Sequence, residues 1–256
     1  MADFEQDTAV HPRADGSFDC DIAEDWWVVA GPNGGYVAAI VARALLAAAG
    51  GPTRPLRSLT VNYLRAPSPG PARVEVDVER QGRTVSFAGA RLVQDQRPCA
   101  LALAVLADGR DGLELEHASS PEVAPPEEIS AVTDRPDPPP VAQQLDFRPA
   151  LKGPGDRALT GGWLRLRRKA SLDAALLVAL CDFWLPAVFA VTKQPIAVPT
   201  LELTVHVRAR VPLESDWVLG RFATRTARDG LLEEEGELWS RDGVLLAQSR
   251  QLALAL

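Results

Sequence analysis

One carboxylate interrupts an otherwise apolar run, and its surroundings make it the first candidate for chemistry in this chain. The run is Ala174-Ala175-Leu176-Leu177-Val178-Ala179-Leu180-Cys181-Asp182-Phe183-Trp184-Leu185-Pro186-Ala187-Val188-Phe189-Ala190-Val191. A helix apolar on every side belongs inside a fold, wrapped by other elements. Asp182 is therefore expected to be largely buried. An unpaired buried carboxylate is costly, so it must find donors, take up a proton or be kept for reaction. The plain alternative is a satisfied core aspartate, since structural networks also perturb buried acids. The run approaches the roughly 20 residues that span a bilayer, but Asp182 and Pro186 within it favour a core helix.

A second polar departure lies near the C-terminus. In the strand pattern from Pro98 to Leu106, Ala100, Ala102 and Ala104 share one parity and leave room for a helix above. The matching places later in the chain hold Ala247, Ser249 and Gln251. Small apolar residues become polar ones in the same half that carries Asp182, and a polar cluster beneath a buried helix exists because its members satisfy one another or hold water or ligand.

Other chemistries are poorly supported. His11, His117 and His206 are far apart and no HExxH or Cys/His zinc motif occurs, which argues against a catalytic metal. Cys20, Cys99 and Cys181 are scattered, form no CxxC pair and suit a reducing cytoplasm. The acidic start, Met1 to Asp7, lacks the basic and apolar regions of a signal peptide. A formal charge of -7 and a pI near 5.1 offer no basic field for nucleic acid. With 256 residues, 46% of them hydrophobic, a soluble globular protein of one large or two ordinary domains is expected.

The elements that must position Asp182 and Gln251 repeat. Phe18 to Val29 suits a strand or its approach. Gly31-Pro32-Asn33-Gly34-Gly35-Tyr36 then feeds an Ala-rich helix from Val37 to Ala49, with Asn33 as N-cap and Gly50-Gly51 as stop. Those glycines lack a following Gly-Lys-Ser/Thr or the GxGxxG pattern, so a close helix start outweighs a phosphate loop. From Arg57 the period becomes two, and four runs to Leu106 read as an antiparallel meander. Asp111 to Gly161 is Pro-rich and acidic, a connector across the surface with one strand near Gln144 to Phe147. The pattern then restarts: a short strand at Trp163 to Arg167, the apolar helix, and strands over Thr200 to Arg210, Trp217 to Ala227, Leu231 to Ser240 and Val244 to Leu254. One unit occurs twice, in residues 1–110 and 162–256, with 111–161 between. Each helix is best buried against its sheet, and two units joining edges would form one longer sheet without exposed central edges.

The ordered motifs Gly-Pro-Asn-Gly-Gly-Tyr, Leu-Thr-Val-Asn-Tyr-Leu-Arg-Ala-Pro, Arg-Gln-Gly-Arg-Thr-Val-Ser, Cys-Asp-Phe-Trp-Leu-Pro and Asp-Gly-Val-Leu-Leu-Ala-Gln-Ser-Arg-Gln resemble the TesB-like, or thioesterase II, double-hotdog acyl-CoA thioesterases. The resemblance covers nearly everything outside the connector. It implies an α+β double hotdog, two fused helix-plus-antiparallel-sheet units forming one continuous sheet. It also implies cofactor-free hydrolysis of acyl-CoA, further association into a homo-oligomer, and a site in which Asp, Thr and Gln hold the attacking water; no membrane insertion is expected from the core reading of the apolar helix.

Carried over by position, the acid is Asp182 and the amide Gln251. Thr200 takes the hydroxyl position, although Thr200-Leu201-Glu202-Leu203 departs from the family's Thr-apolar-Asp-His, and Thr204, at the same strand parity, is the fallback. An ordinary strand threonine is the plain reading of both. Gly34, Gly35 and Tyr36 at the first helix start, behind Asn33, are candidate donors for the substrate's developing oxyanion. The acyl chain is expected beside Phe183 and Trp184, and the CoA end near Arg65 or Arg208. Two other readings remain: a non-catalytic acyl-thioester binder, and a hotdog dehydratase or hydratase, which would need a His absent from both long helices.

Overall fold

Period-two alternation carries most of the chain into a single antiparallel sheet. The computed structural model describes residues 2–50, 54–132, 137–192, 196–213 and 216–256. A one-turn helix α1 (Phe4–Asp7) precedes strands β1 (His11–Pro12) and β2 (Phe18–Ile22), then helix α2 (Gly34–Leu45) and strands β3 (Leu56–Tyr63), β4 (Gly70–Gln81), β5 (Val85–Gln94) and β6 (Arg97–Ala107). After the connector come α3 (Pro140–Gln143), β7 (Leu145–Lys152), β8 (Ala158–Leu166), helix α4 (Ala174–Phe183), β9 (Thr200–Val207), β10 (Val218–Thr224), β11 (Ala227–Arg228), β12 (Leu231–Ser240) and β13 (Leu245–Leu254). The strand order is β1-β2-β4-β5-β6-β3-β9-β13-β12-β10-β8-β7, with β11 on β12. The duplicated pattern thus gives two helix-plus-sheet units in one continuous sheet, a double hotdog as the family resemblance implies.

The halves meet where β3 pairs with β9. Thr60 lies opposite Thr204, flanked by Ser58 opposite His206 and Asn62 opposite Glu202. That symmetry makes Thr60 and Thr204 counterparts and fixes which positions correspond farther out. Ala104 lies opposite Leu59 in the first half, as Gln251 lies opposite Leu203 in the second. One strand farther, Ala88 lies opposite Ala104, and Glu234 opposite Gln251. The second copy thus carries an amide and a carboxylate where the first carries two alanines.

Helices α2 and α4 cover the sheet and touch each other. Ile40, Leu45, Leu177 and Leu180 are essentially fully buried, each contributing roughly 1.5–3 kcal/mol. Gly35 permits the closest approach: a Cβ there would lie 2.6 Å from the Ala179 carbonyl oxygen and 2.9 Å from Asp182 Cβ. At the other end of the pair, Arg43 Nη1 meets Asp173 Oδ2 at 3.0 Å, and Asp173 caps α4 through the Leu176 N–H.

Several boundaries differ from the sequence reading. Helix α4 ends at Phe183 and not at Val191, because Pro186 disfavours helical backbone at the residue before it and cannot donate to the ladder; Trp184 is already extended, and a 3-10 turn follows at Ala187–Ala190. The expected strand from Phe18 to Val29 stops at Ile22 and gives way to a 3-10 turn at Glu24–Trp26. Helix α2 finishes in a π turn at Leu46–Gly50, while Gly51 lies outside the described residues. The connector also ends earlier than Gly161, since β7 and the start of β8 fall within it. Before them it crosses the outer sheet face: Val123 and Ile129 pack on Trp163, Trp217 and Trp239, and Trp163 Nε1 donates to the Ala124 carbonyl.

Candidate active site

Asp182 sits in the last turn of α4, half-buried and facing the start of α2. Its own helix end presents the negative pole, which disfavours a carboxylate, whereas the N-terminus of α2 presents the positive one. Gly35 N–H donates to Asp182 Oδ2 at 2.8 Å. Asn33 caps α2 by accepting from the Tyr36 N–H at 3.0 Å, and its Nδ2 donates to the Asp182 main-chain oxygen at 2.9 Å. The capping residue of one helix thereby fixes the end of the other. Burial pushes the Asp182 carboxyl up to about 6, opposed by the Gly35 N–H, then by the Gln251 and Asn33 side chains and the Gly34 N–H.

Gln251, on β13, is buried beneath this carboxylate. Its Oε1 accepts from Thr200 Oγ1 at 3.0 Å, and its Nε2 lies 3.5 Å from the Cys181 carbonyl oxygen. Thr200 reaches this face through a β-bulge. Leu252 pairs with Glu202 but Ala253 pairs with Thr200, so Leu201 is an extra residue on β9. An inserted residue reverses the alternation beyond it, and Thr200 joins Leu203 and Gln251 on the core face. The expectation that Thr200 and Thr204 share a parity is therefore corrected. Thr204 occupies the opposite face, bonded to Thr60 at 2.8 Å and to Glu202. Glu202, the departure from the family pattern, points away from Asp182 with it.

The candidate oxyanion donors have other partners. The Gly35 and Gly34 N–H groups serve Asp182 and Tyr36 N–H serves Asn33; the Gly34 carbonyl accepts from Tyr63 Oη at 2.7 Å. Tyr36 itself is fully buried, its hydroxyl donating to the Asp7 carbonyl and accepting from the Ala23 N–H. Asn33, Gly35 and Tyr36 are thus engaged in hydrogen bonds that tie the start of α2 to Asp182 and the end of α4. Phe183 stacks on Trp26 at 5.7 Å, and Trp184 stacks on Phe222 at 6.4 Å and donates to Thr160. Both aromatic residues that follow Asp182 are therefore held in ring contacts. Arg65 and Arg208 are exposed.

Glu234 was not singled out from the sequence, yet it lies directly across from Gln251 and is 5% exposed. Its run, Glu233-Glu234-Glu235, reads as a solvated acidic stretch. The available signal is parity, because Leu232, Glu234, Gly236 and Leu238 alternate together.

Comparison with known proteins agrees with this fold. Residues 23–107 match the acyl-CoA thioesterase N-terminal domain and residues 121–255 the acyl-CoA thioesterase C-terminal domain. An uncharacterised protein of Mycobacterium tuberculosis is 27% identical over 93% of this chain and 90% of its own. A conserved protein of unknown function with a hot dog fold from Alicyclobacillus acidocaldarius superposes with a TM-score of 0.90 at 28% identity, covering 100% of this chain and 98% of that one. The acyl-CoA thioesterase II TesB2 of Mycobacterium marinum shares the fold at a TM-score of 0.83 and 18% identity, over 99% of this chain and 98% of its own. With both of its halves matched, the chain belongs to the TesB-like acyl-CoA thioesterase family.

Proposed function

We propose that this chain hydrolyses acyl-CoA thioesters with a water held by Asp182, Thr200 and Gln251. The observation that carries the reading is the Asp182–Gln251–Thr200 constellation itself, whose amide stands where the first half has Ala104. A water oxygen attacks the thioester carbonyl carbon while Asp182 takes its proton. The tetrahedral oxyanion then collapses, the carbon–sulfur bond breaks, and CoA leaves as thiolate and takes up a proton. Thr200 and Gln251 orient the water. Gln251 Nε2, whose bond to the Cys181 carbonyl is long at 3.5 Å, is the donor able to move to the developing oxyanion.

The bulge yields a direct test. Thr200→Val should lower kcat/KM by about 10–100-fold through lost orientation of the water, while Thr204→Val, on the far face, should remain within about twofold. Equal losses in both would contradict the assignment. Because Asp182 must be ionised to accept a proton and its carboxyl is held at about 6, kcat/KM should fall as pH drops through about 6. An acid limb at the ordinary carboxylate value near 4 would contradict this.

The reading is tested by release of free thiol from acyl-CoA substrates of graded chain length. Saturable turnover supports hydrolysis; tight binding without thiol release would show a sequestering protein. Loss of enoyl absorbance would show a hydratase; among the described residues His206 is exposed on β9, and alternation places it on the face occupied by Thr204, away from Asp182.

A further inference from the structure

The duplicated unit differs at a second pair of corresponding positions, and the difference bears on the same site. Ala88 in the first half corresponds to Glu234 in the second, as Ala104 corresponds to Gln251. A carboxylate on the buried face of a central strand is costly unless paired with a cation or kept for a purpose. Glu234 accepts a hydrogen bond from the Ala187 N–H, in the turn that follows α4. Among the described residues no Lys, Arg or His pairs with it.

We propose that Glu234 is a positioning residue that keeps a proton while Asp182 carries the negative charge of the site, and that loss of this proton ends turnover on the alkaline side. The proposal rests on the hydrolytic reading above. Two carboxylates in one poorly solvated site do not both ionise readily. With Glu234 neutral, Asp182 is a lone base. With both ionised, a second negative charge opposes the oxyanion that forms on the substrate.

The groups around the pair leave no other candidate. From α4 come Asp182 and the Cys181 thiol, which burial pushes up to about 12. From β3 comes Tyr63, raised well above its ordinary value, first by burial and then by the charges of Asp182 and Glu202. β13 and β9 contribute the uncharged Gln251 and Thr200, and α2 contributes the Gly34 and Gly35 N–H groups. Glu233 occupies the other face of β12, beside Arg250 at 3.5 Å. On β10, Ala223 pairs with Glu235, so the next residue along, Thr224, shares the face of Glu234; its hydroxyl is buried without a partner among the described residues. Burial pushes Glu234 up to about 7, eased by the Ala187 N–H and reinforced by the charges of Asp182 and Glu233.

The test is the pH profile of kcat/KM for octanoyl-CoA, followed by thioester absorbance after subtraction of uncatalysed hydrolysis. Wild type should give a bell. Glu234→Gln, which keeps an acceptor for Ala187 but cannot ionise, should keep the acid limb and lose the alkaline limb or move it up by about one pH unit or more. A variant that retains the wild-type alkaline limb overturns the proposal. A second measurement does not depend on that variant folding: in Asp182→Asn, the buried glutamate followed by carbon-13 NMR should titrate at lower pH than in wild type, because its charged neighbour is gone. An unchanged midpoint would equally overturn it. Wild-type turnover by Asp182→Asn would instead sink the hydrolytic reading, whereas a dead Asp182→Asn beside an unaltered bell in Glu234→Gln sinks only the role of Glu234.

Discussion

Asp182→Asn should reduce kcat/KM for acyl-CoA by about 10²–10⁴-fold, the range a positioned general base supplies, while making the folded protein slightly more stable at neutral pH. Both effects come from one cause. The Asp182 carboxyl is held at about 6 against an ordinary 3.8, so the folded state binds its proton more tightly than the unfolded state does. An acid shifted upward in this way costs stability once ionised, above about pH 6; the cost shrinks as pH falls through that value and is absent below about 4. Asparagine keeps an oxygen for the Gly35 N–H and removes the half-buried charge. Urea unfolding at pH 7 and at pH 4 checks the sign: the variant's advantage, on the order of 1 kcal/mol, belongs to pH 7 only. An inactive variant that is also markedly less stable at pH 7 would indicate a structural aspartate.

Gly35→Val is expected to damage both fold and site. Its first added atom would fall 2.6 Å from the Ala179 carbonyl oxygen and 2.9 Å from Asp182 Cβ, and neither backbone oxygen nor the base of a neighbouring helix residue can move aside cheaply. Overpacking of this kind costs about 1–3 kcal/mol, occasionally more, or a fall in Tm of about 3–10 °C for a chain of this size. Separation of α2 from α4 also withdraws the Gly35 N–H from Asp182, so residual folded protein should turn over poorly. Gly112→Ala, in a connector position with nothing within 4 Å of an added Cβ, is the control and should leave Tm unchanged within about 1 °C. Wild-type Tm for Gly35→Val would show that the helices do not cross at this residue.

The legible parts of this protein were those set by periodicity. Alternation located the strands within about three residues at most ends, because a sheet with one buried face writes its register into every second position. Asp182 was legible as an exception inside an apolar run, and Gln251 as an exception to the alanine stripe of the first half. Thr200 could not be separated from Thr204 in this way. Leu201 is an ordinary strand residue with nothing to mark it as a bulge, yet the bulge decides which hydroxyl faces the acid. Glu234 was hidden by its neighbours, since three consecutive glutamates suggest solvent until the Leu232-to-Leu238 alternation is taken strictly. The glycines at 34 and 35 were correctly placed at a helix start, but their role depends on a contact with α4, about 147 residues away, that no local pattern records.

Single-turnover hydrolysis of an acyl-CoA in oxygen-18 water, with enzyme in excess, tests most directly whether a water held by Asp182 is the attacking group. Direct attack predicts one heavy oxygen in the fatty acid released in that first turnover and none in Asp182. Heavy oxygen in the Asp182 carboxyl with unlabelled acid would show that the side chain itself attacks, and the absence of any released CoA would show that the site does not hydrolyse the thioester.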